Sequence, residues 1–439
     1  MRLTTAEIAA VTDGELRGSD VAVEGATQDS RAVVPGQLFV PVVAERDGHD
    51  FIGAALVAGA AATLTSRDEP VDAPAIRVDD TVVALQQCAA HVRRRLGNAS
   101  VIAITGSAGK TSTKDLLASV LRRAGATHAS ERSFNNELGV PLTLLNAPDG
   151  VAAVVVEMGM RGPGQITRLC RIASPSMAVV TTVGSAHTSE LGSVEAVARA
   201  KGEIVQDLPA EGWAVLNAEV PLVLAMADRT AARVITFGGA DGEVRAERVE
   251  VAPDLTSRFR LVSPWGSADV VLGARGAHNV TNACAAAAAA LAAGAGMSAV
   301  VAGLAEPKMS PWRMELRTAA SGATVINDAY NANPLSMASA LRSLAALAVD
   351  RRVAVLGPMA ELGDESEDEH RRIADLARQL GIDVIAVDAP YEGAVRVAGL
   401  DEAVGALVEW GELGADAAVL VKGSRVAGLE RLAAQLVGG

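Results

Sequence analysis

One stretch of this chain reads Ile102-Ala103-Ile104-Thr105-Gly106-Ser107-Ala108-Gly109-Lys110-Thr111-Ser112. The apolar run before the first glycine is typical of a β-strand, and the residues from Ser112 to Ala124 are typical of a helix. A glycine-rich turn between a strand and a helix is the setting of a phosphate-binding P-loop, because glycines let backbone N–H groups approach phosphate oxygens. The N-terminus of the helix adds a partial positive charge.

The residues that end this turn carry the predicted chemistry. We expect Lys110 to hold the β- and γ-phosphates of a nucleotide and Thr111 to ligate Mg²⁺. The spacing G-x-x-G-K-T is a shortened form of the general pattern G-x-x-x-x-G-K-[ST]. A glycine turn with a surface lysine is the alternative interpretation, which the preceding strand and the Lys-Thr pair disfavour.

Length and composition limit the possible functions. The 439 residues allow about three domains, at roughly 150 residues each. Half of the residues are hydrophobic but only 3% are aromatic, so the cores must consist of Ala, Val and Leu. The net charge of −13 argues against nucleic acid as a partner, although local Lys and Arg can still bind an anionic small substrate.

Cysteine usage and the apolar runs favour a cytoplasmic protein without membrane insertion. Met1 is followed by no apolar signal core. The uncharged run 279–305 is long enough to span a bilayer, but it is mostly Ala and Gly, so we predict a buried helix pair broken near Gly294 and Gly296. No C-x-x-C pair or disulfide framework is indicated by the cysteines, which are Cys88, Cys170 and Cys284.

The pattern along the chain divides it into three segments. Residues 1–80 hold short β-like pieces, and Thr81–Leu96 is typical of an amphipathic helix. Residues 81–312 alternate strand and helix, which predicts a mostly parallel sheet covered by helices. Within them, 243–272 alternates polar and apolar residues and predicts an antiparallel appendage. Residues 313–439 predict a second open α/β sheet.

Three titratable residues follow or flank the predicted strands of the second segment. Glu157 ends an apolar run that is predicted to lie next to the P-loop strand, and a carboxylate at this position could ligate Mg²⁺. A solvent-facing acid is equally compatible with the pattern. His187 follows another strand, and Lys201 lies in a predicted helix. A single His is more often a surface or core residue than a ligand, and a helical Lys is usually a solvated charge.

Polar side chains also cluster at a predicted helix start and at predicted strand ends. Asn279 and Asn282 lie three residues apart, where they could cap the helix or contact an adenine edge. In the third segment, polar loops follow three β-like runs, and such strand ends line the ligand crevice of an open α/β sheet. These loops are 327–334, 357–363 and 422–425.

Together these pieces resemble the Mur ligase family over essentially the whole chain, including its short P-loop. Within the family the chain is similar to the branch that adds a D-alanyl-D-alanine dipeptide. The strings at 135–143 (N-N-E-L-G-V-P-L-T) and 328–334 (D-A-Y-N-A-N-P) are specific to that branch. The branch that adds the third peptide residue carries D-Y-A-H and D-N-P-R motifs, and both are absent here.

The resemblance implies a three-domain α/β architecture. It consists of a small N-terminal α/β domain that binds the UDP-sugar (1–80), a central P-loop domain with a mostly parallel sheet that binds ATP (81–312) and a C-terminal Rossmann-like domain (313–439). The implied activity is an ATP-dependent ligase that joins D-Ala-D-Ala to UDP-N-acetylmuramoyl-tripeptide through an acyl phosphate. That step completes the cytoplasmic peptidoglycan pentapeptide precursor, and so links the chain to cell-wall biogenesis, cell shape and division. A monomer is expected.

The resemblance also implies roles for individual residues, including two Mg²⁺ sites and a carbamylated Lys201 as a metal ligand. The implied catalytic residues are Lys110, Glu157, His187, Lys201 and Arg313, and the metal ligands are Thr111, Glu157, His187 and Lys201. The implied ATP-binding residues are Gly106, Ser107, Ala108, Gly109, Lys110, Thr111, Ser112, Asn279, Asn282, Arg313, Asp328 and Tyr330. The implied substrate-binding residues are Asp29, Ser30, Arg31, His49, Asn135, Asn136, Asn331, Asn333, Lys422 and Ser424.

The chain departs from the family pattern at three places. Ser189 occupies a position where the family usually has Glu, and Glu190 follows it; this bears on the metal site. The loop 41–46 is shorter than usual and lacks a common glycine, which bears on the sugar-nucleotide contacts. Asn327 stands where Asp is frequent.

Two other functions are compatible with parts of this pattern. A relative that acts on another carboxylate, such as a folate polyglutamate or cyanophycin-type ligase, would not need the segment containing Asp29-Ser30-Arg31. A non-catalytic ATP-binding switch would not need Lys110, Thr111, Glu157 and Lys201 together. Phosphate release from ATP that requires both a UDP-muramoyl tripeptide and D-Ala-D-Ala would separate these possibilities.

Overall fold

The structure is a computed structural model that describes residues 1–131, 133–184, 191–409 and 413–438. These residues form a five-stranded sheet near the N-terminus, a central six-stranded sheet, a three-stranded antiparallel sheet and a second six-stranded sheet. A two-stranded ribbon lies beside the first sheet. The described part of the chain has no helix long and apolar enough to cross a membrane.

The N-terminal sheet has the strand order β2-β7-β6-β5-β4, in which only the β2–β7 pair is antiparallel. Its core includes Leu64 and Ile76, which are fully buried. The Asp80 carboxylate accepts hydrogen bonds from two N–H groups of the first turn of α3, so the predicted helix begins where expected. The elements are β1 (Arg2–Thr4), α1 (Thr5–Thr12), β2 (Glu15–Arg17), β3 (Ala22–Glu24), β4 (Ala26–Thr27), β5 (Leu38–Phe39), α2 (Ile52–Val57), β6 (Ala62–Thr65), β7 (Ala75–Arg77) and α3 (Thr81–Arg95).

The central sheet is entirely parallel, with the order β13-β12-β11-β8-β10-β9. Strand β8 lies between β11 and β10, and its residues 101–104 are fully buried because helices cover both faces. The elements are β8 (Ser100–Thr105), α4 (Lys110–Ala124), β9 (Thr127–Ala129), α5 (Gly139–Leu145), β10 (Ala153–Glu157), α6 (Gln165–Ala173), β11 (Met177–Val180), α7 (Val194–Lys201), α8 (Glu203–Gln206), β12 (Trp213–Asn217), α9 (Pro221–Leu224) and β13 (Arg233–Phe237).

The predicted antiparallel appendage and helix pair are both present. Strands β14 (Arg245–Val251), β15 (Ser257–Ser263) and β16 (Gly266–Leu272) form an antiparallel sheet. Helices α10 (His278–Ala292) and α11 (Met297–Ala305) follow and pack against α4. The alanines 285–290 of α10 are fully buried, as expected for a close-packed helix face.

The C-terminal sheet has the order β17-β18-β22-β19-β20-β21 and is parallel except at the β17–β18 edge. The three predicted polar loops follow β18, β19 and β22, which are neighbours, so the loops meet at one edge of the sheet. The elements are β17 (Glu315–Thr318), β18 (Thr324–Asn327), α12 (Pro334–Ala345), β19 (Arg351–Leu356), α13 (Ser366–Gln379), β20 (Asp383–Val387), β21 (Val395–Val397), α14 (Leu400–Glu409), β22 (Ala417–Lys422) and α15 (Glu430–Gly438).

Two of these elements are short. The helix that contains Lys201 ends at that residue, and α8 begins after Gly202, where a Cβ atom would lie 2.2 Å from the Arg229 guanidinium. Strand β5 is limited to Leu38–Phe39, and Pro41, which cannot donate to a β-ladder, follows it closely.

Candidate active site

The P-loop joins β8 to α4, as the sequence predicts. Gly109 has a left-handed backbone (φ 81°), and a Cβ atom there would lie 2.5 Å from the Asn282 amide oxygen, so the turn requires glycine. The segment after β11 supports the loop, since Thr181 Oγ1 donates to the Ala108 carbonyl at 2.6 Å and Ser107 N donates to the Thr182 carbonyl at 2.8 Å. The loop is therefore shaped by its neighbours before any nucleotide binds.

Thr111 and Glu157 meet at the start of α4. Thr111 Oγ1 donates to Glu157 Oε2 at 2.8 Å, and both side chains are buried. Asn135 Nδ2 donates to the other Glu157 oxygen at 2.8 Å, and Arg313 Nη2 donates to Thr111 Oγ1 at 2.9 Å. The sequence predicted Glu157 beside the P-loop, but it gave no signal that Asn135 would orient its carboxylate.

Two lysines approach this centre. Lys110 Nζ donates to the Gly106 carbonyl at 2.6 Å, and burial lowers the pKa of Lys110 from its ordinary value. Lys201 is fully buried, and its Nζ has no hydrogen-bond partner among the described residues. Burial, with a smaller contribution from the charge of Lys110, lowers the pKa of Lys201 well below its ordinary value. The interpretation of Lys201 as a solvated surface cation is therefore wrong.

The predicted metal ligands are only partly brought together. Thr111 and Glu157 are in direct contact, whereas His187, with Ser189 and Glu190, lies outside the described residues. In the described ranges, no group of three or more His, Cys, Asp or Glu side chains is placed to hold a metal ion. What is present is a buried hydroxyl and a buried carboxylate, which are hard oxygen ligands of the kind Mg²⁺ prefers.

A cleft of about 670 Å³ adjoins the P-loop and the start of α10. Asn282 Nδ2 donates to Asn279 Oδ1 at 2.8 Å, and neither side chain caps the helix, so the capping interpretation of these residues is wrong. Across the cleft, the Arg313 guanidinium lies 4.3 Å from the centre of the Tyr330 ring. The Tyr330 hydroxyl is hydrogen-bonded to Ser133 Oγ, a contact that the sequence did not predict. Among the cleft-lining residues are Ser107, Gly109, Lys110, Asn279, Asn282, Arg313, Asp328 and Tyr330.

The polar loops of the C-terminal sheet close one side of this cleft. Lys422 Nζ donates to Asp328 Oδ2 at 2.6 Å and to the Asn331 carbonyl at 2.9 Å. Asn333 caps α12 and also donates from Nδ2 to the P-loop carbonyl of Ser107 at 3.0 Å. This bond, with the Arg313–Thr111 bond, joins the C-terminal sheet directly to the P-loop.

A second cleft, of about 500 Å³, shares Ser107 and Lys110 with the first. Asn135 and Asn136 line it, and Asn136 Oδ1 also accepts a hydrogen bond from Gly139 N at 2.9 Å at the start of α5. Ser424 lies behind its wall, where Ser424 Oγ accepts from Ala360 N at 2.9 Å. The other lining residues include Arg161, Arg168, Asn331, Asn333 and Glu361.

The N-terminal candidates line neither cleft. Arg31 donates twice to the Asp29 carboxylate, at 2.9 Å each, and its side chain is 87% exposed. This contact lowers the pKa of Asp29. His49 is buried: its Nδ1 lies 2.6 Å from Asp47 Oδ1, and its Nε2 accepts from Ser66 N at 2.9 Å. Both ring nitrogens are occupied, so His49 shapes its loop rather than presenting a free ring.

Comparison with known proteins agrees with this geometry. The Mur ligase middle domain matches residues 104–290, and the Mur ligase glutamate ligase domain matches residues 312–425. This chain belongs to the Mur ligase family. The family assignment covers both the P-loop region and the C-terminal sheet that contacts it.

The similar relatives share one activity in their names. The UDP-N-acetylmuramoyl-tripeptide–D-alanyl-D-alanine ligase of Mycobacterium tuberculosis (strain CDC 1551 / Oshkosh) is 40% identical, over 99% of this chain and 93% of the relative. The ligase of the same name from Escherichia coli (strain K12) is 36% identical, over 91% of this chain and 89% of the relative.

Solved structures confirm the predicted three-domain α/β architecture of a Mur ligase. MurF from Acinetobacter baumannii matches with a TM-score of 0.90 and 31% identity, over 100% of this chain and 99% of that one. The MurF ligase from Thermotoga maritima, solved in complex with ADP, matches with a TM-score of 0.82 and 27% identity, over 95% of this chain and 97% of that one. A folylpolyglutamate synthase from Mycobacterium tuberculosis, 19% identical with a TM-score of 0.66, shares the fold alone.

Proposed function

We propose that this Mur ligase is an ATP-dependent enzyme that joins D-Ala-D-Ala to UDP-N-acetylmuramoyl-tripeptide, a step of peptidoglycan precursor synthesis. The observation that carries the proposal is the match, over nearly the whole chain, to relatives named for that activity. The geometry is compatible with it, since a P-loop, a buried carboxylate and a second cleft meet at Lys110. The cytoplasm is the expected location, because ATP is available there.

We assign one task to each of the three regions. Residues 1–80 bind the sugar nucleotide, with Asp29, Ser30 and Arg31 on an exposed loop and His49 holding a neighbouring one. Residues 81–312 bind ATP, and residues 313–439 complete the site from the opposite side. We propose that the enzyme acts as a monomer.

The reaction must activate a carboxylate, which is a poor acyl donor. Phosphoryl transfer from ATP to the tripeptide carboxylate gives an acyl phosphate with a good leaving group. Lys110, held over the P-loop by the Gly106 carbonyl, and Arg313, bound to Thr111, supply positive charge where the transferring phosphoryl group is most negative. The amine of D-Ala-D-Ala then attacks the acyl carbon and phosphate leaves.

The residues present fit a Mg²⁺ site in the P-loop. Thr111 and Glu157 would hold the ion, and Mg²⁺ bound there would neutralise charge on the β- and γ-phosphates. For the second Mg²⁺ we propose His187 and a carbamylated Lys201. A buried amine that has no hydrogen-bond partner in the described part of the chain is costly, and a carbamate would turn Lys201 into a carboxylate-like ligand.

Nucleotide contacts are assigned to the first cleft. The Asn279–Asn282 pair and the Arg313–Tyr330 stack provide polar and flat surfaces on its two sides. Water must be kept from the acyl phosphate, and the hydrogen bonds from Arg313 and Asn333 to the P-loop hold the C-terminal sheet over it. We assign the substrate side of the reaction to the second cleft, which Asn135, Asn136, Asn331, Asn333, Lys422 and Ser424 line or support.

The test is phosphate release measured with each substrate omitted in turn. We expect release to require ATP, the UDP-muramoyl tripeptide and D-Ala-D-Ala together. Lys110→Ala should abolish release without changing thermal unfolding, and Lys308→Ala, which alters an exposed lysine that lines neither cleft, should leave release intact. Release that depends on ATP alone, or full activity in Lys110→Ala, would overturn the proposal.

A further inference from the structure

Glu361 is a charged residue in the second cleft to which the proposed mechanism assigns no role. It lies in the loop 357–363 after β19 and lines the cleft together with Ser107 and Lys110. Burial lowers the pKa values of Lys110 and Lys201, and the negative charge of Glu361 partly opposes that lowering. The Glu361 carboxylate is therefore within electrostatic range of both lysines. The side chain is 41% exposed, so a small molecule in the cleft can reach it.

Buried partners fix the loop that carries Glu361. The Tyr391 hydroxyl donates to the Gly357 carbonyl at 3.0 Å, Met359 N donates to His370 Nε2 at 3.1 Å, and Ala360 N donates to Ser424 Oγ at 2.9 Å. Tyr391, His370 and Ser424 are all buried. Three anchors on consecutive parts of one loop leave its tip little freedom, which suits a loop that must present a group at a fixed place.

The backbone of Glu361 is itself strained. Its φ of 68° is a left-handed conformation that glycine adopts easily and a glutamate does not. A residue held there must be compensated by surrounding structure, and such positions cluster at functional sites. The side chain, rather than the turn, is then the reason for a glutamate at this position.

Charged side chains of both signs line the cleft. Glu361 comes from the C-terminal sheet, whereas three cations (Lys110, Arg161 and Arg168) and one further carboxylate (Glu137) come from the central region. Arg161 Nη2 lies 3.9 Å from the Glu361 carboxylate, which is the distance of a long ion pair. A cleft that offers both carboxylate and guanidinium groups matches a short zwitterion, which carries an ammonium group at one end and a carboxylate at the other.

We propose that Glu361 receives the α-ammonium group of D-Ala-D-Ala and accepts a proton from it, while Arg161 and Arg168 attract its carboxylate; the proposal rests on the proposed ligase function. An ammonium group has no lone pair and cannot attack. Loss of one proton to Glu361 frees the nitrogen lone pair, which forms the bond to the acyl carbon. The acyl carbon–oxygen bond to phosphate breaks, and the second proton lost by the nitrogen ends on the departing phosphate. Glu361 then returns its proton to water.

The experiment compares two nucleophiles on the full-length enzyme with ATP and the UDP-muramoyl tripeptide. D-Ala-D-Ala arrives as an ammonium ion, whereas hydroxylamine is uncharged at neutral pH and captures an acyl phosphate as a hydroxamate. In Glu361→Gln we expect kcat/KM for D-Ala-D-Ala to fall roughly 100-fold. Hydroxamate formation and the KM values for ATP and the UDP-muramoyl tripeptide should stay at the wild-type level.

Controls separate this role from a structural one. Glu367→Gln removes a carboxylate that is 82% exposed in the next helix and should change neither nucleophile's rate. Glu361→Gly relieves the backbone strain and should unfold at an equal or higher temperature, yet lose D-Ala-D-Ala turnover as Glu361→Gln does. Wild-type kcat/KM for D-Ala-D-Ala in Glu361→Gln, or parallel loss of hydroxamate formation, would overturn the inference. Failure of the ligase proposal would instead appear in the wild type, as phosphate release indifferent to D-Ala-D-Ala.

Discussion

Lys201 and Lys422 are both almost completely buried, yet their surroundings are opposite in kind. Lys422 is bound to Asp328 at 2.6 Å and to the Asn331 carbonyl at 2.9 Å. Lys201 Nζ has no hydrogen-bond partner within the described ranges. A compensated buried charge helps to define a structure, whereas an uncompensated amine costs folding free energy and is a candidate functional group. Burial alone does not distinguish the two; the partners do.

The largest expected effect is on the activity of Lys201→Met. Methionine fills a similar volume without an amine, so the variant should fold with an unchanged or higher unfolding temperature. If carbamylated Lys201 is a metal ligand, phosphate release with all three substrates should fall on the order of 1,000-fold. Lys201→Arg is the companion variant, and near-normal turnover in it would contradict carbamylation, because a guanidinium cannot form a carbamate ligand.

Lys422→Met should act on stability first. The substitution leaves the partly buried Asp328 carboxylate without its cation, which should lower the free energy of unfolding by about 3 kcal/mol in a urea titration. The double variant with Asp328→Asn should recover part of that loss, because no unpaired charge remains. Strictly additive losses in the double variant would show that the pair is not coupled.

Thr111 combines features of Lys422 and Lys201. Its hydroxyl has two protein partners, as the Lys422 amine does, and it is also a proposed metal ligand, as Lys201 is. Thr111→Val removes the hydroxyl and should weaken the apparent Mg²⁺ affinity, read from the Mg²⁺ dependence of turnover, by roughly 10-fold. Thr111→Ser keeps the oxygen and should stay near the wild type. Equal Mg²⁺ dependence in the two variants would remove Thr111 from the metal site.

The smallest effect is expected at the exposed Asp29–Arg31 pair. A solvent-facing ion pair contributes little to stability, so Arg31→Ala should leave the unfolding temperature unchanged. The KM for the UDP-muramoyl tripeptide should nevertheless rise severalfold, because a guanidinium suits anionic groups, while the KM for ATP should not change. An unchanged KM for the UDP substrate would argue against a docking role for this loop.

Local patterns in the sequence were sufficient to predict the P-loop, the parallel central sheet and the antiparallel appendage. Each depends on residues close together in the chain: a glycine turn between a strand and a helix, or alternation along a strand. Glu157 was also predictable, since it ends the strand beside β8 and strand ends meet at one edge of a parallel sheet.

Contacts between distant residues could not be derived in this way. Asp328 and Lys422 were expected as separate ligand contacts, yet they bind each other across 94 positions of sequence. Asn135 was expected to contact substrate, and in the structure it orients Glu157. The resemblance to a family indicated that Lys201 is special, but its burial depends on how α7 packs, which residue type alone cannot reveal.

The alanines of α10 have a consequence for the nucleotide site that no ligand contact reveals. Helices α10 and α11 lie against α4, whose first residue is Lys110, and a Cβ atom on Gly303 of α11 would lie 2.4 Å from the Val120 backbone. The small residues therefore set the distance between α4 and the helix pair α10–α11, and each added methylene group would push α4 away from that pair. Such a shift would move the whole phosphate cradle relative to Arg313 and Asn333, which are fixed to another sheet. The precision with which the phosphate site is aligned therefore depends partly on the volume of side chains that lie on a helix face outside the substrate clefts.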